Sequence, residues 1–507
     1  MPTRAMKVRS RVLLGLLIVP CVMAAAHTAA AFGLNGFATR GAFRPGAAIG
    51  RPMPPSPAVP RAGIGGRGIY GGFPGPGYGG PPRYHAPIGG LGSGAVHSGT
   101  NGGSNSGRHT GTARNNRGDG TAAGGEQSFV PNEVITAFAP GATPQTIARI
   151  AQRYSLTRVE SEFFPLIGET LYRWRIGGRR STANVVRALG RESIVSNVQP
   201  DYLFALQEQN TATATRGDAA QYVLSMLNVE QAQQLATGKD VPIAIIDSGV
   251  DLNHPDLKAA AVTNFDALGG AGKSLNPHGT SIAGAIVARG KLLGIAPGAA
   301  LLAIRAFDDA AGAARGASFT IYKGLQWAVD HGARVVNMSF AGPADPILQR
   351  MLAAASDKSI VLIAAGGNGG SQAQPQYPAA YSNVIAVTAV DSKDQLYKMA
   401  NRSRYIAVSA PGVDVLALAP DARYQLATGT SIAAAHVSAI AALLLERKPS
   451  LKPNDVRAIL VATAVPLGSP RPDPDFGAGL VNAYRALTLL DRKPSEPAQD
   501  AATQAKQ

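Results

Sequence analysis

Between residues 222 and 490, short and almost purely apolar runs alternate with stretches of helical spacing. Apolar runs without polar alternation are typical of strands that are covered on both faces, as in parallel sheets. Parallel neighbours need a crossover connection, which a helix commonly supplies. The pattern predicts an α/β fold with three layers, in which a doubly wound, mostly parallel sheet lies between helices. The clearest predicted strands are residues 241–246, 301–305, 334–339, 360–365 and 384–390.

Residues 126–206 predict a smaller α+β unit in front of this sheet. Its order, strand, helix, strand, helix, strand, suits a ferredoxin-like sheet with two helices on one face. The expected elements are strands at 130–138, 170–176 and 196–204, and helices at about 143–154 and 181–191. Residues 207–221 are polar and lack periodicity, so we expect a flexible linker there. The polar residues 491–507 are expected to form a disordered tail.

The first 31 residues have the pattern of a signal peptide. Four basic residues precede an apolar run, and the small residues 29–31 offer a cleavage site. A membrane anchor is the alternative, but Pro20 interrupts the run and the run is short for a span. We therefore expect a secreted or periplasmic protein without a transmembrane anchor. Cys21 is the only cysteine and lies in this leader, so cleavage would leave no cysteine for a disulfide.

Residues 32–125 form a glycine- and proline-rich segment. They contain 28 Gly and 11 Pro and contribute +8 to the net charge of +16. Such a composition cannot bury enough apolar surface to offset the ordering entropy, so it predicts disorder. The scattered arginines could contact nucleic acid or an anionic surface. A solvated spacer is the favoured interpretation, and we expect no specific nucleic-acid partner.

Four short motifs carry residues of chemical interest. Asp247 ends an apolar run in Ile-Asp-Ser-Gly, and His278 begins a helix in Pro-His-Gly-Thr. Asn368 lies in a glycine-rich loop after a predicted strand, and Ser431 begins a long apolar helix in Gly-Thr-Ser. In doubly wound sheets, functional residues gather outside the carboxyl ends of the strands. We therefore expect the four residues to meet at one edge of the sheet.

These residue types suit acyl transfer through a serine. A serine hydroxyl becomes a nucleophile when an imidazole takes its proton, and a carboxylate behind the imidazole fixes the tautomer. The Asn368 amide and the Ser431 N–H could donate to the oxyanion of the intermediate. Each residue alone could be only a helix cap or a turn residue. All four in this order favour a catalytic site.

The motifs resemble those of the subtilisin (subtilase) family of serine peptidases. The order is Asp, His, Ser, with gaps of 31 and 153 residues, and Gly294-Ile-Ala-Pro and Tyr377-Pro-Ala match further. The resemblance covers roughly residues 222–490. It implies a secreted serine endopeptidase that acts on protein or peptide substrates. In it Asp247 orients His278, His278 is the base, Ser431 is the nucleophile, and Asn368 is an oxyanion donor together with the Ser431 N–H.

The resemblance also implies substrate-binding positions. Gly316, Ser339 and Ala341 are expected to pair with an extended substrate backbone by strand addition. Gln376 is expected near the base of the subsite that holds the residue before the scissile bond, where its amide would favour a polar or medium-sized side chain.

Residues 126–206 are similar to the inhibitory propeptides of the family, chiefly through residues 199–202, Gln-Pro-Asp-Tyr. The linker should be flexible enough to reach the active site, and the strand that ends at Leu206 could enter the substrate cleft as an added strand. We therefore expect the chain to cut itself between about residues 206 and 222. The freed prodomain would then inhibit the enzyme.

Two departures from the family pattern stand out. Ala435 occupies a position where a proline usually precedes the histidine. Residues 288–291, Ala-Arg-Gly-Lys, stand where many relatives have a longer calcium-binding loop, and basic side chains supply no oxygen ligands. We therefore expect Asp256 to be structural, with no metal and no cofactor.

Two other functions are compatible with the pattern. The fold could serve as a pseudoenzyme that binds peptides, or as a surface protein built around the basic segment. The intact set of catalytic residue types favours the endopeptidase.

Overall fold

The computed structural model describes residues 128–207, 209–213, 221–270, 276–310, 313–468 and 473–491. The predicted signal peptide, the glycine-rich segment and residues 492–507 of the predicted tail lie outside the described residues. We call residues 128–207 the N-terminal unit and residues 221–491 the main domain.

The N-terminal unit is a ferredoxin-like antiparallel sheet with two helices. Its elements are β1 (Phe129–Phe138), α1 (Pro144–Tyr154), β2 (Leu156–Phe164), β3 (Glu169–Ile176), α2 (Thr182–Leu189) and β4 (Val195–Leu206). The strand order is β2-β3-β1-β4. Thr143 and Ser181 cap the helices by accepting bonds from Thr146 N and Asn184 N. The sequence analysis did not predict β2, because most of its residues are polar and it pairs only at the edge of the sheet.

The main domain contains the following elements in chain order. They are α3 (Tyr222–Met226), α4 (Val229–Gln233), β6 (Pro242–Asp247), a 3₁₀ turn (Pro255–Leu257), β7 (Ala261–Asp266), α5 (Pro277–Val287), β8 (Ala300–Arg305), β9 (Asp308–Ala310), β10 (Ala313–Ala317), α6 (Ser318–Asp330), β11 (Val335–Met338), β12 (Phe340–Ala341), α7 (Pro346–Asp357), β13 (Val361–Ala365), β14 (Ile385–Val390), β15 (Ile406–Pro411), β16 (Val415–Ala419), β17 (Arg423–Thr428), α8 (Thr430–Arg447), α9 (Pro453–Thr463) and α10 (Ala483–Leu489).

A parallel sheet of seven strands forms the centre of the main domain. The strand order is β15-β14-β13-β11-β6-β8-β7, and every pairing is parallel. Each of the five strands predicted from the sequence begins and ends within one residue of its expected bounds. The predicted α/β fold is confirmed.

The two faces of the sheet are covered by different helices. Along β6, Ile243 and Ile245 face a cluster that includes residues of α5 and α8, whereas Ala244 and Ile246 face a cluster with residues of α6 and α7. This alternation follows from the period of two in a strand. Among the described residues, only α8 is long and apolar enough to pass for a membrane span. It is 89% buried, which identifies it as the core helix of the domain.

The N-terminal unit docks on the helices α6 and α7. Phe164, Leu171 and Phe204 share one continuous apolar cluster with residues of the main domain. Asp201 accepts a bond from Phe319 N (3.2 Å), and Gln199 accepts one from Ile347 N (3.3 Å). Since the N-cap residue of α6 makes no side-chain bond of its own, Asp201 satisfies a helix donor across the interface.

One strand lies where the sequence analysis expected a flexible linker. Residues Gln209–Thr213 form β5, which pairs antiparallel with β17 and completes a three-stranded sheet with β16. The sequence of β5 is mostly polar and has no alternation of apolar and polar residues, so it gave no sign of a strand. Its backbone is held by pairing with β17. Part of the predicted linker is therefore an ordered strand.

Asp201 is fully buried in this interface. Desolvation raises the pKa of its carboxyl to about 7, against the opposing effects of Arg173 and of the bond from Phe319 N. Arg173 Nε lies 3.0 Å from the carboxylate and is shared with Glu133 (2.6 Å). Because the pKa is higher in the folded state than in the unfolded state, proton binding to Asp201 stabilises the folded protein. This contribution to the free energy of unfolding is fully present below the unfolded pKa of about 4 and is lost as the pH rises through about 7.

We expect Asp201→Asn to remove this pH dependence, since an amide does not titrate. The variant is compared with its parent in full-length protein that also carries Ser431→Ala, because the sequence analysis predicts that Ser431 is a nucleophile that cuts the chain. The Tm of the parent minus the Tm of the variant should decrease from about pH 4 to about pH 7 and stay level above that, since only the parent loses stability as Asp201 ionises. Asp421→Asn, at an exposed site, is the matched control. A Tm difference for Asp201→Asn that is constant over this range would contradict the prediction.

Candidate functional site

Asp247 and His278 form a buried pair at the carboxyl edge of the sheet. Asp247 is the last residue of β6, and His278 lies in the first turn of α5. The His278 Nδ1 atom is 2.7 Å from Asp247 Oδ1 and 2.9 Å from Oδ2. A carboxylate in this position requires a proton on Nδ1, which leaves Nε2 as the basic nitrogen of the neutral ring.

Local sequence determines the position of this histidine. Asn276 caps α5 by accepting a bond from His278 N (2.9 Å), and Pro277 occupies an early helical position that suits its fixed φ. A Cβ on Gly279 would lie 2.1 Å from the Gly249 carbonyl oxygen. Only glycine therefore allows α5 to approach the segment after Asp247, which accounts for the His-Gly sequence.

Ser431 lies in the first turn of α8 and is fully buried. Its Oγ donates to the Ser339 carbonyl (3.0 Å), and Ser339 Oγ donates to the Ser431 carbonyl (3.1 Å). Because the helix begins at Thr430, the N–H of Ser431 has no partner within the helix and points out of its N-terminus. A helix start of this kind favours negative charge close to the serine.

Asn368 lies in the loop after β13, beside the start of α8. Its Oδ1 accepts bonds from Thr430 N (3.1 Å) and Thr430 Oγ1 (2.8 Å). These two bonds orient the amide so that its Nδ2 points away from Thr430. In this orientation Nδ2 donates to the Gln207 carbonyl at 2.7 Å.

The Gln207 carbonyl thus meets both predicted oxyanion donors. Besides the Asn368 amide, Ser431 N donates to it at 3.3 Å. The Gln207 side chain contributes as well, because its Oε1 accepts a bond from Asn368 N (2.9 Å). Sequence analysis missed Gln207 as a site residue. The one signal in the sequence was that it directly follows the predicted α+β unit of residues 126–206.

The three predicted substrate-binding positions contact the end of β4. Gly316 lies opposite Phe204, and Ala341 lies opposite Ala205. Ser339 O accepts a bond from Gln207 N (3.1 Å). The end of β4 is therefore an added antiparallel strand between β10 and β12, and it leads directly to the two donors.

Gln376 precedes Tyr377 in the loop before β14, and its side-chain amide donates to the Gln374 carbonyl (3.3 Å). Its expected place beneath the subsite stays a prediction. Ala435 is fully buried within α8, which runs unbroken from Thr430 to Arg447.

Asp256 is buried, and two protein groups donate to its carboxylate. Leu292 N (2.9 Å) and Tyr424 Oη (3.2 Å) donate to its carboxylate. Within the described ranges, no group of three or more His, Cys, Asp or Glu side chains is arranged to hold a metal ion.

The other histidines of the main domain have structural contacts. His436 is buried, and its Nδ1 lies 3.0 Å from the Pro411 carbonyl. Burial lowers its pKa to about 4, so it is neutral at physiological pH. His254 Nε2 lies 3.2 Å from the Arg423 carbonyl, and its Nδ1 accepts a bond from Asp256 N.

Comparison with known proteins agrees with this architecture. The profile of the Subtilase family matches residues 238–479. A thermostable alkaline protease of Halalkalibacterium halodurans is 34% identical over 283 residues, which cover 55% of this chain and 76% of the relative. Subtilisin DY of Bacillus licheniformis is 34% identical over 273 residues, which cover 52% of this chain and 97% of the relative.

A solved structure shares the fold over most of the chain. It is fervidolysin from Fervidobacterium pennivorans, described as a keratinolytic enzyme related to subtilisin, with a TM-score of 0.62 and 26% identity. The match covers 71% of this chain and 61% of fervidolysin. With the sheet, the Asp–His pair and the serine at the start of α8, these similarities show that the chain belongs to the subtilase family of serine-type endopeptidases.

Proposed function

We propose that Asp247, His278 and Ser431 are the catalytic triad of this endopeptidase, with the Asn368 amide and the Ser431 N–H as oxyanion donors. The observation that carries the proposal is the carbonyl of Gln207, which accepts bonds from both donors at 2.7 and 3.3 Å. A carbonyl held by two N–H groups beside a serine hydroxyl has the environment that the tetrahedral intermediate of acyl transfer requires.

The chemistry then follows from the positions of the groups. The Ser431 hydroxyl leaves the Ser339 carbonyl and attacks the substrate carbonyl carbon, while His278 Nε2 takes the hydroxyl proton. Asp247 stabilises the resulting imidazolium through Nδ1–H. The imidazolium gives its proton to the leaving amine, and an acyl-enzyme remains. Water, deprotonated by the same imidazole, then attacks the ester, and the imidazolium gives that proton to Ser431 Oγ as the product acid leaves.

We further propose that the first substrate is the chain itself, cut between Gln207 and Glu208. The strand before the cut is paired with β10 and β12, and its carbonyl lies between the donors. After cutting, the N-terminal unit keeps the same contacts through β4 and the Asp201 cap, so it is proposed to act as an inhibitor. The signal-like residues 1–31 support export from the cytoplasm.

We expect Ser431→Ala to reduce peptide hydrolysis to a trace, because the nucleophile is lost. Asn368→Ala should lower turnover by about 10²–10³-fold, since one donor remains. Initial rates on an unfolded protein such as casein, together with fluorophosphonate labelling, measure both effects. Ser409→Ala removes another fully buried hydroxyl and should keep near-normal activity. Substantial hydrolysis by purified Ser431→Ala would refute the assignment.

We expect self-processing to produce a mature chain that begins at Glu208. Mass spectrometry of purified wild-type protein should detect a fragment that ends at Gln207, and the Ser431→Ala chain should stay joined there. The separated N-terminal fragment, added to mature enzyme, should inhibit it competitively. An uncut chain in active wild-type protein, or the same cut in Ser431→Ala, would remove this proposal.

The end of β4 also indicates that the enzyme prefers a substrate with an aromatic side chain at the fourth residue before the cut. The Phe204 side chain is 1% exposed and packs edge-to-face on Phe340 at a centroid distance of 5.6 Å. A Cβ on Gly342 would lie 2.5 Å from the Phe204 ring. Glycine at position 342 therefore leaves the space that an aromatic side chain fills.

Gly342→Val should narrow this space. We expect kcat/KM for a peptide with Phe-Ala-Leu-Gln before the cut to fall by about 10- to 200-fold, the usual range for a misfit in an apolar pocket. The peptide with Ala in place of Phe is the control and should lose much less. Equal losses for both peptides would contradict the pocket assignment.

A further inference from the structure

The side chain of Gln199 crosses the interface from the N-terminal unit and contacts both α6 and α7. It lies in β4 and is buried. Its Nε2 donates to Asp345 Oδ1 and to Tyr322 Oη, each at 2.9 Å. On the other side of the amide, Oε1 accepts a bond from Ile347 N at 3.3 Å, near the start of α7. Gln199 therefore acts as a donor and as an acceptor within one buried site.

The carboxylate of Asp345 determines which way this amide points. Asp345 is fully buried and accepts bonds from Leu348 N (2.9 Å) and Ser318 Oγ (2.6 Å). Tyr322 Oη donates to it as well, at 2.6 and 2.7 Å. Burial and the charge of Asp345 raise the pKa of Tyr322 well above its usual value, so the hydroxyl keeps its proton. These donors and the Gln199 amide are all neutral groups, so a negative charge stays in the site.

The charged contacts around this site have the opposite polarity. Glu160 and Glu169 of the N-terminal unit each lie 2.8 Å from a cation of the main domain, Lys323 and Arg350 respectively. Asp201 accepts a bond from an N–H at the start of α6. At these places the N-terminal unit supplies the carboxylate. Position 199 is reversed, because there the main domain supplies the carboxylate and the N-terminal unit supplies the donor.

We propose that the buried carboxylate of Asp345 is a recognition site for a carboxamide. Through it the main domain accepts its own N-terminal unit and rejects a strand that differs only by a carboxylate at position 199. An amide donates to Asp345 with one end and accepts from Ile347 N with the other. Glutamate has the same shape, but its charge would lie beside a second carboxylate in a buried site, which opposes binding. The inference rests on the proposed inhibitory role of the N-terminal unit.

The first test measures how tightly the processed N-terminal fragment stays bound. Full-length chains are left to process themselves and are then diluted in steps. The initial rate on a peptide substrate after each dilution gives the fraction of free enzyme, and hence the dissociation constant. Gln199→Glu should raise this constant at least about 100-fold at neutral pH. Gln145→Glu makes the same change of charge at an exposed site in α1 and should leave the constant within about twofold.

A combined variant distinguishes charge repulsion from a general loss of contacts. Gln199→Glu together with Asp345→Asn inverts the pair, because the amide then lies on the main domain and the carboxylate on the N-terminal unit. The dissociation constant should fall at least about tenfold below that of Gln199→Glu alone. Equal constants for Gln199→Glu alone and in the combined variant would overturn the proposal.

A second measurement needs no processing and separates this proposal from the proposed function. In full-length chains that carry Ser431→Ala, Gln199→Glu should lower the Tm by several degrees, and the combined variant should recover at least half of that loss. If Gln199→Glu prevents folding, recovery of folding in the combined variant is the readout. Losses that simply add, with Asp345→Asn alone completing the cycle, would overturn the proposal. A wild-type complex without inhibition would instead contradict the proposed function, and this cycle would still decide whether the pair exists.

Discussion

Backbone hydrogen bonds between parallel strands bring the carboxyl ends of β6 and β13 to the same edge of the sheet. Asp247 ends the first of these strands, and Asn368 follows the second. The helices α5 and α8 begin at the same edge, and their first turns contain His278 and Ser431. Groups from four distant parts of the chain meet there because parallel pairing aligns the ends of the strands. The apolar residues that bury the sheet are therefore as necessary to the site as its polar groups.

Edge strands surround the candidate site and hold an extended part of this chain. β10 and β12 pair with β4, and β17 pairs with β5. Such edges have unpaired main-chain groups, which are an aggregation risk in most proteins. Here the chain's own β4 and β5 cover them. The end of the N-terminal unit covers the candidate site and the edges of β10 and β12, and β5 covers the edge of β17.

The interface with the N-terminal unit combines apolar burial with helix capping. Phe204 buries its ring against Phe340, while Asp201 satisfies a donor at the start of α6. A side-chain cap is worth about 0.5–2 kcal/mol, so the caps from the N-terminal unit also stabilise helices of the main domain. This coupling gives a physical reason for the main domain to fold against this unit.

The fold class and the residues of the candidate site could both be predicted from the amino-acid sequence alone. The central strands are buried on both faces of the sheet, so each of them appears in the sequence as a short, almost purely apolar run. The motifs around Asp247, His278, Asn368 and Ser431 are short segments in which a strand end or helix start fixes one side chain. Strand patterning was therefore enough to predict the sheet, and the four motifs in their order, with their resemblance to a known family, were enough to predict the candidate site residues.

The tertiary structure decided which bond lies at the site and what holds it. The polar strand β5 has no pattern of its own, since its partner β17 lies more than 200 residues away in the chain. The same holds for Gln207, whose carbonyl meets donors on Asn368 and Ser431 that come from distant parts of the chain. Every residue except proline carries the same main-chain N–H and C=O groups, so only the folded arrangement of the strands can decide which of them meet.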